Sequence, residues 1–89
     1  MAIRTLHVGL GPIGIAVARQ VAERKGFRIV GAVDIDVAKV DRDLGLVAGL
    51  DRKLRVKVSD DLDRAIKKTK PDIVVLCTSS SLAVVADQI

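Results

Sequence analysis

Glycines stand at positions 9, 11 and 14, within Gly9-Leu10-Gly11-Pro12-Ile13-Gly14. Each permits something that a side chain would prevent. Gly9 allows a tight turn, Gly11 leaves the backbone bare to an approaching group, and Gly14 lets a following helix pack closely. A helix starting at Pro12 would present unpaired N–H groups and a partial positive charge, which suits phosphate. Proline has no N–H to offer and favours the first helical position, so the amides of Ile13 and Gly14 are the expected donors. Asp34 follows twenty positions after Gly14, where a carboxylate can accept hydrogen bonds from ribose hydroxyls. Together these residues describe a seat for the pyrophosphate and one ribose of a nicotinamide dinucleotide. The plainer alternative is a tight β–α turn with Asp34 as a helix cap.

Asp34 also bears on which dinucleotide is held. Its charge would repel a 2′-phosphate, and Ile35 and Asp36 follow it rather than Arg or Lys. NAD is therefore favoured over NADP, unless Lys39 or Arg42 folds back over the site. A second group of interest is Cys77-Thr78-Ser79-Ser80-Ser81, at the end of an apolar run. Its hydroxyls, those of Thr78 and Ser79 above all, can contact cofactor ribose or phosphate, or can simply cap the next helix. Cys77 has no neighbouring His or Cys to activate it. His7 is the sole histidine and is expected to pack or hydrogen-bond rather than catalyse. No spacing of metal ligands is present.

The elements that must position these residues can be read from periodicity. Ile3 to Val8 reads as a strand with Leu6 and Val8 on one face and Thr5 and His7 on the other. Pro12 to Arg24 reads as a helix with a branched stripe, Ile13, Val17 and Val21, beside a small-residue stripe, Gly14, Ala18 and Ala22. Gly26 is its expected terminator. Arg28 to Asp34 is nearly continuously apolar, as a strand covered on both faces should be. Asp36 is a candidate cap for a short helix through Val40 and Leu44, ending at Gly45. Val56 and Val58 mark a third strand, Ser59 caps a helix from Asp60 to Thr69, and Asp72 to Cys77 is a fourth strand. Leu82 to Ile89 starts another helix. Alternation of this kind predicts an α/β, Rossmann-type doubly wound parallel sheet, here of about four strands where six are usual. Residues 1–89 are thus expected to be an incomplete NAD(P)-binding domain of a longer protein, the alternative being a half-domain that relies on self-association.

Bulk properties agree with a core-forming domain. Apolar residues make up 49% of the 89 and charged residues 29%, outside the disordered range. Net charge is +4, with many cations between Arg52 and Lys70. They form a solvated basic face or a surface attractive to anions such as phosphates. Phe27 is the sole aromatic residue, which argues against base stacking and hence against nucleic-acid binding. A single cysteine permits no intrachain disulfide, in keeping with a cytoplasmic setting. No apolar run is long enough to span a bilayer, so no membrane partner is expected. Arg4, the stretch Val8 to Val17 and Ala16-Val17-Ala18 loosely imitate a secretory signal, but the interrupting glycines and Pro12 fit a nucleotide turn better.

The glycine turn, Val30-Gly31-Ala32-Val33-Asp34-Ile35-Asp36, Asp43-Leu44-Gly45, Val58-Ser59-Asp60-Asp61-Leu62, Lys70-Pro71-Asp72-Ile73-Val74-Val75 and Thr78-Ser79-Ser80-Ser81 together resemble the N-terminal domain of 2,4-diaminopentanoate dehydrogenases. These belong to the wider dihydrodipicolinate reductase-like group of amino-acid and amine dehydrogenases. Dihydrodipicolinate reductases themselves usually carry Gly-Arg-Met-Gly where this chain has Gly11-Pro12-Ile13-Gly14. The resemblance implies NAD(P)-dependent oxidative deamination of an amino acid or amine: hydride passes from the amine-bearing carbon to the nicotinamide, and water hydrolyses the imine. It implies cofactor roles for Gly9, Gly11, Pro12, Ile13, Gly14, Asp34, Thr78 and Ser79. Catalytic and substrate-binding residues are expected in a C-terminal domain. The expected partners are the dinucleotide, a small amino-acid or amine substrate and further copies of the chain in a homo-oligomer. A non-catalytic redox-sensing regulatory module is the main alternative, and a sugar- or aldehyde-directed oxidoreductase another.

Overall fold

β1 (Ile3–Val8) runs at the centre of the sheet. The computed structural model describes residues 2–77 and the backbone of 82–86. β1 is followed by α1 (Pro12–Glu23), β2 (Phe27–Val33), α2 (Leu44–Val47), β3 (Val58–Ser59), α3 (Leu62–Thr69), β4 (Ile73–Cys77) and β5 (Leu82–Ala86). The strands lie in the order β3-β2-β1-β4-β5. β1 pairs in parallel with β2 and β4, and β2 with β3, giving the expected four-stranded parallel Rossmann sheet.

The alternation in β1 sends residues to two cores. Leu6 and Val8 meet Val33, Val74 and the Leu62, Ala65 and Ile66 face of α3. Ile29, Ala32, Val56 and Val58 face the other way and pack with Leu10, Ala18, Leu44 and the Ile15, Val21 and Ala22 side of α1. Helices therefore cover both faces, the arrangement that right-handed parallel crossovers produce. Gly31 lies at a bulge in the β1–β2 register. A Cβ there would come within 2.2 Å of Leu6 Cδ1, so glycine is what allows Leu6 to fill this layer.

Several local expectations are corrected. α1 buries Gly14 and Ala18, while Ile13 is exposed. The small-residue stripe faces the sheet because only it permits close approach. α1 ends at Glu23 with Arg24 as its C-cap, and Gly26 turns the chain two residues after that cap at φ +89°. The helix expected from Asp36 is a series of turns, and the helical turn begins only at Leu44. Asp43 is the reason. Its carboxylate accepts from the amides of Gly45 (2.8 Å), Leu54 (2.8 Å) and Val56 (3.0 Å). One side chain thus caps α2 and fixes the approach to β3. Partial burial raises the Asp43 pKa, but the amide hydrogen bonds outweigh it and hold the carboxyl below its usual range.

α3 is capped by Asp61, which accepts from the Arg64 amide, whereas Ser59 accepts from the Asp61 amide and shapes the preceding turn. Its last turn ends at Lys70, in the left-handed region at φ 47°, and Pro71 prevents continuation. The helix expected from Leu82 is instead β5, antiparallel to β4 with Ile73 opposite Ala86 and Cys77 opposite Leu82. The open edge of β4 offers unpaired backbone groups, and the branched pair Val84-Val85 favours extended structure.

His7 lies buried against the α1 side of the sheet. Its Nε2 is 3.0 Å from Thr5 Oγ1, which also faces the Arg28 carbonyl at 3.5 Å, and its Nδ1 has no partner. A hydroxyl donating to Arg28 can accept only from Nε2–H, leaving Nδ1 as the bare acceptor. Burial lowers the His7 pKa from 6.5 to about 4. Between those values the unfolded chain takes up a proton that the folded chain refuses. Stability should therefore fall as pH drops from 6.5 to 4, by about 3 kcal/mol over the window. Urea denaturation at a series of pH values checks this. A His7→Val variant should lose most of the slope in that window, and an unchanged slope would exclude His7 as its source.

Candidate nucleotide site

The strand order reverses between β1 and β4, and ligands of open α/β sheets bind outside the strand ends at such a point. Gly9 and Cys77 meet there. Gly9 has φ +91°, and a Cβ on it would lie 2.0 Å from the Cys77 carbonyl oxygen. Its amide donates to the Val33 carbonyl at 2.8 Å, tying the turn to the end of β2. A Cβ at Gly14 would lie 1.9 Å from the Gly9 carbonyl oxygen and 3.4 Å from Cys77 Cβ. These two glycines let the turn, α1 and β4 converge.

Gly11 differs. It has φ −71°, which any residue adopts, and a Cβ on it would meet nothing within 4 Å. Its missing side chain answers no need of the chain's own packing and leaves room over the turn. Gly11 is the N-cap of α1, which has no side-chain cap and no acidic residue in its first turn. The first internal bond is from the Ile15 amide to the Gly11 carbonyl. The amides of Ile13 and Gly14 have no acceptor among the described residues. Pro12 and Ile13 are exposed, so this end of the helix is open to solvent.

Asp34 is half-buried directly behind the turn. Its Oδ2 accepts from the Leu10 amide at 2.7 Å and its Oδ1 from the Asp36 amide at 2.9 Å. Burial raises its pKa. Hydrogen bonds from the Asp36 and Leu10 amides, the Lys39 charge and the Ile35 amide together outweigh it, so the carboxyl lies below its usual value. The structure thus brings Gly9, Gly11, Pro12, Ile13, Gly14 and Asp34 into one place. Thr78 and Ser79 lie outside the described residues.

Two features escape the spacing rules. Leu10 is fully buried and joins the α1-side core, so the middle of the turn is anchored by its side chain. An apolar residue between the first two glycines is the signal. Lys39 does fold back: its Nζ donates to the Leu10 carbonyl at 2.7 Å and pairs with Asp36 at 3.8 Å. Arg42 instead lines a cleft with Lys53 and Lys57. Burial pushes the Cys77 thiol up, the wrong direction for a nucleophile. Among the described residues no cluster of metal-ligating side chains forms, and no helix is long and apolar enough to cross a membrane.

The chain is similar to several known proteins. The chain is 40% identical to an amine dehydrogenase from Mycobacterium smegmatis whose solved structure it matches with a TM-score of 0.78, over 83% of this chain and 22% of that one. A dipicolinate-bound dihydrodipicolinate reductase from Paenisporosarcina sp. TG-14 matches at a TM-score of 0.65 and 23% identity, over 89% of this chain and 29% of that one; this likeness speaks for the fold. Among curated proteins, the redox-sensing transcriptional repressor Rex of Caldicellulosiruptor saccharolyticus is 38% identical over 81 residues, 90% of this chain and 34% of the repressor. The Rex protein of Caldicellulosiruptor bescii is 36% identical over 77 residues, 85% of this chain and 32% of the repressor. The chain spans about a third of the length of these curated relatives. Residues 3–86 match the family described as dihydrodipicolinate reductase, N-terminus, and with its Rossmann sheet and glycine turn the chain belongs to that family.

Proposed function

We propose that this chain binds a nicotinamide dinucleotide, as the cofactor domain of an NAD(P)-dependent dehydrogenase acting on an amino acid or amine. The observation that carries the reading is the open start of α1, where two free amides stand beside the clear space over Gly11. Phosphate oxygens accept from such amides and gain from the helix dipole. The pyrophosphate lies over Gly9 to Gly14, and Ile13 and Gly14 donate to it. Asp34 has lone pairs left after serving Leu10 and Asp36, and these accept from the adenosine ribose hydroxyls. Thr78 and Ser79, which follow β4 in sequence, are proposed as further cofactor contacts on the resemblance alone. When bound, the dinucleotide supplies the hydride acceptor; the residues described here hold and orient it. The amine dehydrogenase likeness supports the substrate class.

A second reading is favoured by the Rex relatives: a domain that senses the redox state of the dinucleotide without turnover. Assaying the longest natural form of the protein with NAD and a panel of amines separates the two. Amine-dependent NADH formation supports the dehydrogenase. Dinucleotide binding without turnover of any amine, with a large difference in affinity between NAD and NADH, supports the sensor.

Gly11 and Gly14 should separate binding from folding. The Cβ of a Gly11→Val side chain meets nothing within 4 Å, so the variant should still fold, with a melting temperature lowered only by the poorer N-cap, while NAD affinity falls at least tenfold by calorimetry. Gly14→Ala should lower the melting temperature, because its methyl meets the Gly9 carbonyl. Full NAD affinity in Gly11→Val would remove the turn from the site.

Charge near the ribose should set cofactor choice. Asp34→Asn keeps an acceptor for the Leu10 amide but loses the charge that opposes a 2′-phosphate. NADP binding should then tighten relative to NAD, by roughly tenfold for about 1.4 kcal/mol. Lys39→Ala should shift the ratio the opposite way. Side-by-side titration with both dinucleotides reads this, and unchanged ratios in both variants would place the ribose elsewhere.

A further inference from the structure

Arg42, Lys53, Arg55 and Lys57 are not used by the nucleotide turn. They surround an open cleft of about 820 Å³ at the far edge of the sheet, beyond β3. Lys39, Arg42, Lys53, Arg55 and Lys57 all line it. Two carboxylates face them. That of Asp43 is spent on the amides of Gly45, Leu54 and Val56, and that of Asp41 is exposed. Even with both acids counted, the lining carries a net charge of +3.

Among the described residues, four of these five cations are also free. Lys39 is tied to Leu10 and Asp36. Among the described residues, Arg42, Lys53, Arg55 and Lys57 form neither an ion pair nor a side-chain hydrogen bond. Like charges on a simple solvated face gain by spreading apart, yet four converge here on one concavity. The backbone holds them in place. Asp41 and Arg55 both line the cleft and both have left-handed φ, 69° and 60°, a conformation that costs energy outside glycine. The segment from Asp41 to Asp43 is bonded along β3 through Asp41 to Val58 and Val58 to Arg42, and Asp43 holds the Lys53 to Lys57 stretch through the Leu54 and Val56 amides.

The cleft has an apolar wall as well. Leu46 is 56% exposed and lines it together with Val47. Its volume falls in the range of small-molecule sites, which run from about 300 to 1,000 Å³. A concave wall of that size, with several unpaired cations and one apolar side, suits a compact polyanion better than an extended chain. The absence of aromatic residues here argues against stacked nucleic-acid bases.

We propose that this cleft is a second anion site, which takes a small polyphosphorylated ligand with its phosphates on Arg42, Lys53, Arg55 and Lys57 and its apolar part on Leu46 and Val47. It is separate from the dinucleotide turn and does not depend on that turn being functional.

Calorimetric titration with inorganic tripolyphosphate at near-physiological salt tests it. Arg42→Ala/Lys53→Ala should weaken saturable binding at least tenfold. Arg19→Ala/Lys25→Ala removes the same charge from exposed positions outside the cleft and should change it less than twofold. Gly11→Val should leave it unchanged, and excess NAD should not displace it. Equal losses in the two double variants would mean general attraction to a basic surface and would overturn the proposal. Displacement by NAD, or loss in Gly11→Val, would place the anion on the turn and overturn it too. So would no binding by the folded chain, or an oligonucleotide binding through the same residues more tightly than tripolyphosphate does. Melting curves of each variant verify folding; should the first pair unfold, Arg42→Gln/Lys53→Gln takes its place with the same expectation.

Discussion

The hydrogen bond from the Leu10 amide to the Asp34 carboxylate is the constraint on which the site depends. It ties the end of β2 to the middle of the glycine turn, across 24 positions of sequence. The buried side chain of Leu10 fixes the same point from below, and the Gly9 amide bonds to Val33 beside it. With the turn held on that side, the Cys77 carbonyl closes against Gly9 on the other. What remains free is the start of α1, where the amides of Ile13 and Gly14 have no acceptor among the described residues. Asp34 therefore builds the turn, and under the proposed function it also accepts from the ribose.

Charge is arranged around that site in layers. The Asp34 carboxylate sets a negative charge beside the turn, while Lys39, bonded to the Leu10 carbonyl, sets a positive charge close behind it. Farther out, beyond β3, the unpaired cations gather in a cleft with no acid free to neutralise them except Asp41. The modest net charge of +4 hides this separation of local fields, and fields rather than net charge draw anions to particular places.

The parts legible in the sequence are those encoded over short spans. The glycine spacing, the apolar strands β1, β2 and β4, and the charged ends of α3 each carry their own local reason. Asp34 was legible as an acid at the end of β2, though its bond to Leu10 was not, because spacing rules describe ligands better than internal partners. The sequence leaves the buried face of α1 too broad. Branched and small residues form adjacent stripes, and the closeness of the sheet, which selects Gly14 and Ala18 over Ile13, is a tertiary fact. The stretch from Asp36 to Val56 was obscure for the same reason: one carboxylate, Asp43, organises it by reaching amides up to thirteen positions away. Leu82 to Ala86 has no period that separates strand from helix, and the open edge of β4 decides it. Within the site, Thr78 and Ser79 rest on sequence and resemblance alone.

The most direct test of the central claim is an amide-resolved titration of the ¹⁵N-labelled chain with NAD. The account predicts that the largest shifts fall on Gly11, Ile13 and Gly14, followed by Leu10 and Ile35, with the amides around Lys53 and Lys57 nearly still. Shifts concentrated elsewhere, or a turn that stays unmoved while NAD binds, would contradict it.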